Sequence, residues 1–595
     1  MKLLPGSFTR VRAQLDARLP HTMSRSQVLR RSWPFLLDVT VALIGLACFY
    51  AIVLIARLWA GSAQPDVRIS LSASALPRYA FYSVVRMGLA YLLSLVFAIG
   101  YGYAAAYSRR LEALMIAALD ILQSIPVLSF LPGVMLAMMA LFPSRQVGLE
   151  LGAVLLIFTG QVWNMAFSFY SSLKSLPREL VEASAIFQYS RWQRLWQLEL
   201  PYAAIGLVWN SMVSVAGGWF FLMACEMFVL GDRDFRLPGL GSYLQTAASA
   251  GNVSAIFWGL LVMVGIIVAT DQLIWRPVIA WSDRFKFEQV ESARGIRSPL
   301  LAALQSSSLL NGVGRRTLLP LQERLYHHFA TQKKQAVRVD EDGRRSSPRL
   351  LQTLLYTVVV AALLYFAWQA IGLLRGLHAT DLRQLILGAG ATFLRVMVAL
   401  LLASAWTIPA GVAIGFHPRL ARVVQPLAQI AASVPATALF PVLLLLLIRS
   451  GGGMNAGAIL LMLLGTQWYI LFNVIAGAIA IPSDLREVAN LFHFSRWQRW
   501  RTVILPGIFP FLITGLVTAS GGAWNASIIA EYFRLKGQTF TAFGLGEQIS
   551  AATDAGRFGG LLLGTILMAL MVVTINRLVW RPLFRLAETK YRLSA

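Results

Sequence analysis

Long apolar runs separated by short polar stretches set the pattern of the whole chain. In the first part they cover residues 35–56, 81–107, 111–141, 149–170, 203–230 and 253–274. A second set covers 351–374, 385–416, 423–448, 456–481, 507–530 and 558–579. About twenty apolar residues cross a hydrocarbon core as a helix, so the pattern predicts about twelve transmembrane helices, six in each set. The third run of each set is interrupted, by Ser124-Ile-Pro126 with Pro132-Gly133 and by Ser433-Val-Pro435 with Pro441. Proline removes a backbone donor and displaces a carbonyl. Such breaks are tolerated at membrane depth only inside protein or beside a cavity. Ser124 and Ser433 are therefore placed on a translocation path or at a packing kink, and both readings fit.

Composition makes this a polytopic all-α membrane protein: of 595 residues, 57% are hydrophobic and only 13% charged. A soluble protein would carry nearer a quarter charged, and large domains outside the membrane are excluded. Lys plus Arg number 52 against 27 Asp plus Glu. On a helical membrane protein such an excess lies in cytoplasmic loops, facing anionic lipid; nucleic acid is not implied. With a cytoplasmic N-terminus, the basic segments near Arg109, at 174–199, at 283–349 and after Arg581 all fall on the inner side. The organisation expected is a basic cytoplasmic segment 1–34, a first unit 35–282, a cytoplasmic linker 283–349, a second unit 350–582 and a cytoplasmic tail 583–595. The linker, with thirteen basic and seven acidic residues, reads as a tether. Cys48 and Cys225 lie in apolar stretches, and no histidines stand at metal-ligand spacing, so no metal is expected.

The chain repeats itself. Adding 305 carries Gly160 to Gly465, Trp163 to Trp468, Pro177 to Pro482, Glu182 to Glu487, Trp219 to Trp524 and Glu226 to Glu531. The same offset carries Ser190-Arg-Trp-Gln-Arg194, Pro201, Gly239-Leu-Gly241 and Trp275-Arg-Pro277 onto identical residues. Upstream the offset is 309, pairing Arg86 with Arg395, Pro126 with Pro435 and Pro132 with Pro441, so four extra residues of the first copy belong near the loop 143–148. With an even number of helices in each copy, the two enter the membrane in one direction and form a parallel pseudo-dimer.

Between the fourth and fifth helices each copy has a long amphipathic loop, 174–201 and 480–506. Pro177 suits a first helical turn, and Glu179 and Glu182 favour the positive end of its dipole. Ser190 with Gln193, and Ser495 with Gln498, have capping-box spacing, which starts a second short helix ending before Pro201 or Pro506. The expected form is helix, tight turn, helix. Glu182-Ala183-Ser184 with Leu200-Pro201, and Glu487-Val488-Ala489 with Leu505-Pro506, resemble the Glu-Ala-Ala loop of ABC importer permeases. Arg86, Arg395, the Ser-Arg-Trp-Gln-Arg runs and the segment from Gly522 to Glu531 resemble more narrowly the nitrate, sulfonate, taurine and bicarbonate group, in its duplicated form.

The resemblance implies two separate ATP-binding ABC subunits docked on these loops, with Glu182, Ala183, Ser184, Gln188, Ser190, Arg191 and Glu487, Val488, Ala489, His493, Ser495, Arg496 at the contact. It implies a type I importer permease in the inner membrane, an extracytoplasmic solute-binding protein, and ATP with magnesium on the partner subunits alone. Consistently, the chain contains no Gly-x-x-x-x-Gly-Lys-Ser/Thr sequence, the loop that cradles nucleotide phosphates, and is not itself an enzyme. Gln188 and His493 depart from the family, which usually has glycine there, the residue that adopts a left-handed turn at least cost. A small oxyanion is the expected cargo. An ATP-independent 6 + 6 secondary transporter and a permease for non-anionic or ferric cargo are the alternatives.

Arginine within a span is costly, so Arg86 and Arg395 require partners. They could draw in an oxyanion, or pair with Glu226 and Glu531, which the repeat also matches. Trp219 and Trp524, with Asn525 beside the latter, lie deep in the fifth helices and could narrow a path or pack the bundle. Phe220 stands where Asn525 has its counterpart, so a central site would be asymmetric.

Overall fold

The computed structural model describes residues 68–285 and 378–590, short gaps apart. In the first copy the chain runs α1 (Leu76–Tyr107), α2 (Glu112–Ser124), α3 (Leu131–Leu141), α4 (Arg145–Lys174), α5 (Arg178–Ile186), α6 (Arg191–Arg194), α7 (Leu200–Glu226), α8 (Leu240–Ala250), α9 (Val253–Thr270) and α10 (Arg276–Ser282). The second copy repeats this as α11 (Ala379–Phe416), α12 (Pro418–Ser433), α13 (Ala436–Arg449), α14 (Met454–Ala480), α15 (Ser483–Leu491), α16 (Arg496–Arg499), α17 (Leu505–Glu531), α18 (Leu545–Asp554), α19 (Phe558–Ile575) and α20 (Arg581–Lys590). Small antiparallel hairpins, β1 (Val229–Leu230) with β2 (Arg233–Asp234) and β3 (Tyr532–Leu535) with β4 (Gln538–Thr541), follow α7 and α17.

Among the described residues, eight helices are long and apolar enough to cross a membrane, four in each copy. The count of twelve is not reached for two reasons. The third run of each copy is split, into α2 and α3 and into α12 and α13, at the prolines that the pattern singled out. The expected first helices of each copy, at 35–56 and 351–374, fall outside the described residues or almost entirely so, as does the linker 283–349 beyond Phe285.

Equivalent helices begin and end at one offset: α5 and α15, α6 and α16, α7 and α17, α9 and α19 are all 305 apart. Each copy packs α1, α4 and α7, or α11, α14 and α17, into a tight core. The copies then exchange contacts, the turn Val127–Phe130 before α3 against α17, α13 against α7, α9 against α12 and α19 against α2. The two sets of partners are equivalent, as a pseudo-twofold axis requires.

Two expectations are corrected in detail. The second short helix of each loop does not end before Pro201 or Pro506: helix continues without interruption over Arg191–Glu226 and Arg496–Glu531. A five-residue π-turn, Leu195–Glu199 or Trp500–Ile504, precedes each proline. The same device recurs at Asp271–Trp275 before Pro277 and at Asn576–Trp580 before Pro582. Proline cannot donate to the carbonyl four residues back and crowds it, and one widened turn absorbs both defects. The four extra residues of the first copy are not a longer loop. They form an added first turn of α4, which starts at Arg145 where α14 starts at Met454.

Candidate functional site

The loops between the fourth and fifth helices form matching elbows. In α5 and α15 the prolines Pro177 and Pro482 occupy the N-cap, followed by Glu179 or Asp484 in the first turn. Ser190 Oγ and Ser495 Oγ each accept from the backbone N–H of Gln193 or Gln498, and the backbone N–H of each serine donates in return to that glutamine's Oε1, completing both capping boxes. Between the two helices, Gln188 has φ 52° and His493 φ 50°, the only positive values for non-glycine residues among those described. These are the positions at which the family resemblance led to an expected glycine, and the left-handed turn is made without it. Ser184 is buried and donates to Val181 O, and Ala489 is buried. Glu182, Gln188, Arg191, Glu487, Val488, His493, Ser495 and Arg496 are exposed, whereas Ala183 and Ser190 are half-buried.

Each elbow carries large apolar residues into the open at its tip: Ile186 is 79% and Phe187 71% exposed, Leu491 78% and Phe492 72%. The anchoring of the elbows differs. In the first, buried Glu199 pairs with Arg194 and accepts from the Tyr107 hydroxyl at the end of α1. In the second, the position of Glu199 is Ile504 and that of Tyr107 is Phe416, and the Arg486 guanidinium lies 5.2 Å from the Phe416 ring instead.

At the opposite end of the bundle, each fifth helix terminates in a buried carboxylate clasp. Arg86 Nη1 donates to Glu226 at 2.6 Å, and Arg395 Nη1 to Glu531 at 2.7 Å. Ser83 and Thr392 donate to the same carboxylates. The backbone N–H of Gly241 reaches Glu226 at 2.7 Å, and that of Gly546 reaches Glu531 at 2.8 Å. The repeated Gly-Leu-Gly is thereby explained: it opens α8 and α18, whose N-termini offer unpaired N–H groups to an anion. Each arginine is completed by a carbonyl, Pro238 O or Phe543 O. Nε of Arg86 contacts Glu150 at 2.5 Å, whereas Nε of Arg395 contacts the amide of Asn455. Glu150 was missed from sequence, although it and Asn455 are 305 apart, an acid and an amide at the head of a span.

A Cβ built on Gly239 or Gly544 would overlap the adjoining carboxylate of Glu226 or Glu531. Gly239→Ala or Gly544→Ala is therefore expected to cost about 3 kcal/mol through overpacking, seen as a lowered unfolding midpoint in detergent. Gly100→Ala, where a Cβ meets nothing within 4 Å, is the matching control and is expected to leave the midpoint in place.

Between elbows and clasps lies a cavity of about 540 Å³ shared by both copies. It is lined on α7 from Asn210 to Phe221 and on α17 from Thr514 to Asn525, with Trp163, Asn164, Trp468, Tyr469, Asn576 and Trp580 around it. Of the residues expected on a path, Asn525 lines it. Trp219 and Trp524 are buried in the bundle, 3% and 0% exposed, and the neighbouring Phe220 and Asn525 face the cavity instead. Ser124 and Ser433 end α2 and α12, while the flanking Gln123 and Ile125, Ala432 and Val434 supply lining. Arg86, Arg395, Glu226 and Glu531 are held in the clasps, apart from it.

The Pro126 break and Asn525 prove to be one feature. The interruption after α2 leaves the Val127 N–H without a helical acceptor, and Asn525 Oδ1 of the other copy takes it at 2.7 Å. Beyond this point the bundle closes around Leu128, Leu131, Phe228, Ile528 and Phe533, leaving about 110 Å³. The larger cavity therefore lies toward the elbows.

The sequence pattern of binding-protein-dependent transport system inner membrane components matches residues 94–273 and again 407–580, together more than half of the chain. Similar proteins include the nitrate import permease NrtB of Synechococcus elongatus, 29% identical over 188 residues, 31% of this chain and 64% of NrtB. The bicarbonate transport system permease CmpB of the same organism is 29% identical over 141 residues, 24% of this chain and 49% of CmpB. The taurine transport system permease TauC of Escherichia coli is 31% identical over 165 residues, 28% of this chain and 58% of TauC. The chain thus spans less than two thirds of the length of these relatives. With two matches to one family pattern on two structurally equivalent bundles, the chain belongs to the binding-protein-dependent transport system inner membrane components, in duplicated form.

Proposed function

We propose that this chain is the complete pair of permease units of an ATP-driven importer, that separate ATP-binding subunits dock on its two elbows, and that the cargo is an oxyanion. The observation that carries the reading is the pair of matching elbows, each capped, each turned through a left-handed residue, and each exposing an aromatic tip at the same end of the bundle. Exposed apolar residues of that size at two equivalent points favour a protein partner. The elbow end would face the cytoplasm, in keeping with the positive-inside rule, and the cavity lying toward the elbows fits an inward-facing state. Closure of two ATPases would move the elbows as levers and turn the copies about the cavity. Relatives named for nitrate, bicarbonate and taurine support an anionic cargo, delivered by an extracytoplasmic binding protein.

The test is co-purification of a nucleotide-binding subunit with the full chain. Its loss in the Glu182→Arg plus Glu487→Arg variant is expected; unchanged association would overturn the docking assignment.

A further inference from the structure

The two elbows are alike within themselves and unlike in what holds them. Both carry the capping box and the left-handed turn. In the first, buried Glu199 pairs with Arg194 at 2.7 Å and accepts from the Tyr107 hydroxyl at the end of α1; Arg194 Nη2 donates to that hydroxyl at 2.9 Å. On the other flank Lys174, at the end of α4, lies 2.7 Å from Glu112 at the start of α2, and the Tyr170 hydroxyl donates to the same carboxylate at 2.8 Å. A third tie crosses the base of the elbow, from the Tyr202 hydroxyl of α7 to Ser175 O at 3.0 Å.

The second copy has lost the side chains for all three ties. The repeat puts Phe416 and Ile504 at the positions of Tyr107 and Glu199. Ala421, Ile475 and Ile479 stand for Glu112, Tyr170 and Lys174, and Gly507 stands for Tyr202. There Arg486 donates to Ile481 O at 3.2 Å, within the same loop, and lies 5.2 Å from the Phe416 ring. Packing follows the same division. Trp192 rests on Trp196, ring centroids 5.5 Å apart, and is 39% exposed; Trp497, with Arg501 at the position of Trp196, is 74% exposed. Gln193 is buried and Gln498 exposed. The clasps at the opposite end keep arginine, hydroxyl and carboxylate in both copies, so the difference is not a general decay of the repeat.

Ion pairs and hydrogen bonds fix both distance and direction, and a buried carboxylate set between two donors cannot leave them without stranding charge. Apolar contacts are non-directional and let one helix slide on another. The more exposed Lys174–Glu112 pair adds little energy by itself but restrains the same body. We propose that the elbows are unequal levers. The first moves as one body with α1, α2, α4 and α7 and delivers the stroke of the ATPase to the cavity, while the second swings on apolar contacts and follows. Tyr107 and Glu199 are the positioning residues. The assignment rests on the docking reading above and adds to it which elbow transmits the work.

Hydrogen–deuterium exchange of the full chain in lipid nanodiscs, with no ATPase present, tests the inequality. The backbone amides of α5 and α6 are expected to exchange about tenfold more slowly than those of α15 and α16, since opening the first elbow breaks a hydrogen bond to a charged group. Tyr107→Phe with Glu199→Ile installs the pair that the second copy already packs and is expected to remove this difference. Tyr107→Phe alone, which takes away one hydroxyl, is expected to move the rates in the same direction. In vesicles with the ATP-binding subunits and the binding protein, the double variant is expected to keep its affinity for the ATPase and the rate of ATP hydrolysis. Solute taken up per ATP is expected to fall about fivefold, the effect of a residue on a coupling path. Arg486→Met, the matching change at the second elbow, is expected to lower that ratio less than about twofold. Equal exchange at the two elbows, exchange unmoved by both variants, ATPase affinity lost together with uptake, or an equal loss of coupling with Arg486→Met would each overturn the proposal. Because exchange is read without a motor, unequal elbows that recruit no ATPase would overturn the importer reading while leaving the inequality intact.

Discussion

Replacing Glu531 by Gln is expected to lower the stability of the chain by about 3–5 kcal/mol, and replacing Glu226 by Gln by less. Removing one partner of a buried ion pair strands the other charge in a medium that solvates it poorly. Glu531 is fully buried, and Arg395 is left with only an amide and a carbonyl when it is neutralised. Arg86 is buried too but retains Glu150, which contacts it through both Nε and Nη2. The order of the two losses is therefore set by one residue difference, Glu150 against Asn455. Each carboxylate also ties the end of a fifth helix to the first turn of α8 or α18, so the loss spreads into the packing of that end. Thermal unfolding in detergent, followed for both variants beside the unaltered chain, measures this. A role in binding cargo alone would leave both midpoints unmoved and abolish transport, and equal midpoints would contradict the clasp.

Phe187→Ser together with Phe492→Ser is expected to weaken association with the ATP-binding subunits about 10³-fold while leaving the unfolding midpoint unchanged. Both rings are more than two thirds exposed and so contribute little to the fold. A large aromatic that becomes fully covered at an interface is worth about 2 kcal/mol or more, and two sites on one pseudo-dimer act together. Titration of the purified ATPase onto the double variant reads the loss directly. The single variants need not be equal. The first elbow is braced by Glu199 and Arg194 against α1, whereas in the second Arg486 lies over the Phe416 ring. Retained affinity in the double variant would mean that the tips face lipid or water and not a motor.

The repeat, the elbows and the helix breaks were legible because each rests on local chemistry written in consecutive residues. Ser-x-x-Gln makes a capping box wherever it starts a helix. A position where glycine is the easy choice makes a left-handed turn even when Gln188 or His493 fills it, provided that the flanking helices hold it there. Proline breaks α2 from α3 at the predicted place. The rotation of the helices was not legible. The fifth helices are apolar around their whole circumference, so no polar stripe marks the face toward the cavity. Trp219 and Trp524 consequently drew attention, while the wall is made by their neighbours Phe220 and Asn525. Glu150 escaped notice because its partner lies 64 residues away, and only the fold brings the pair together. The π-turns before Pro201, Pro277, Pro506 and Pro582 escaped notice for a different reason. A proline inside a helical pattern normally ends the helix, and only the packed path of the chain shows that it is passed.

Nucleotide-dependent uptake into reconstituted vesicles is the most direct measure of the central claim, that the elbows transmit work from a separate motor to the cavity between the copies. With the ATP-binding subunits, the binding protein and an anionic solute present, uptake is predicted to require ATP hydrolysis and to vanish in the Glu182→Arg plus Glu487→Arg chain. Solute accumulation by the chain alone, with no motor subunit and no nucleotide, would contradict it.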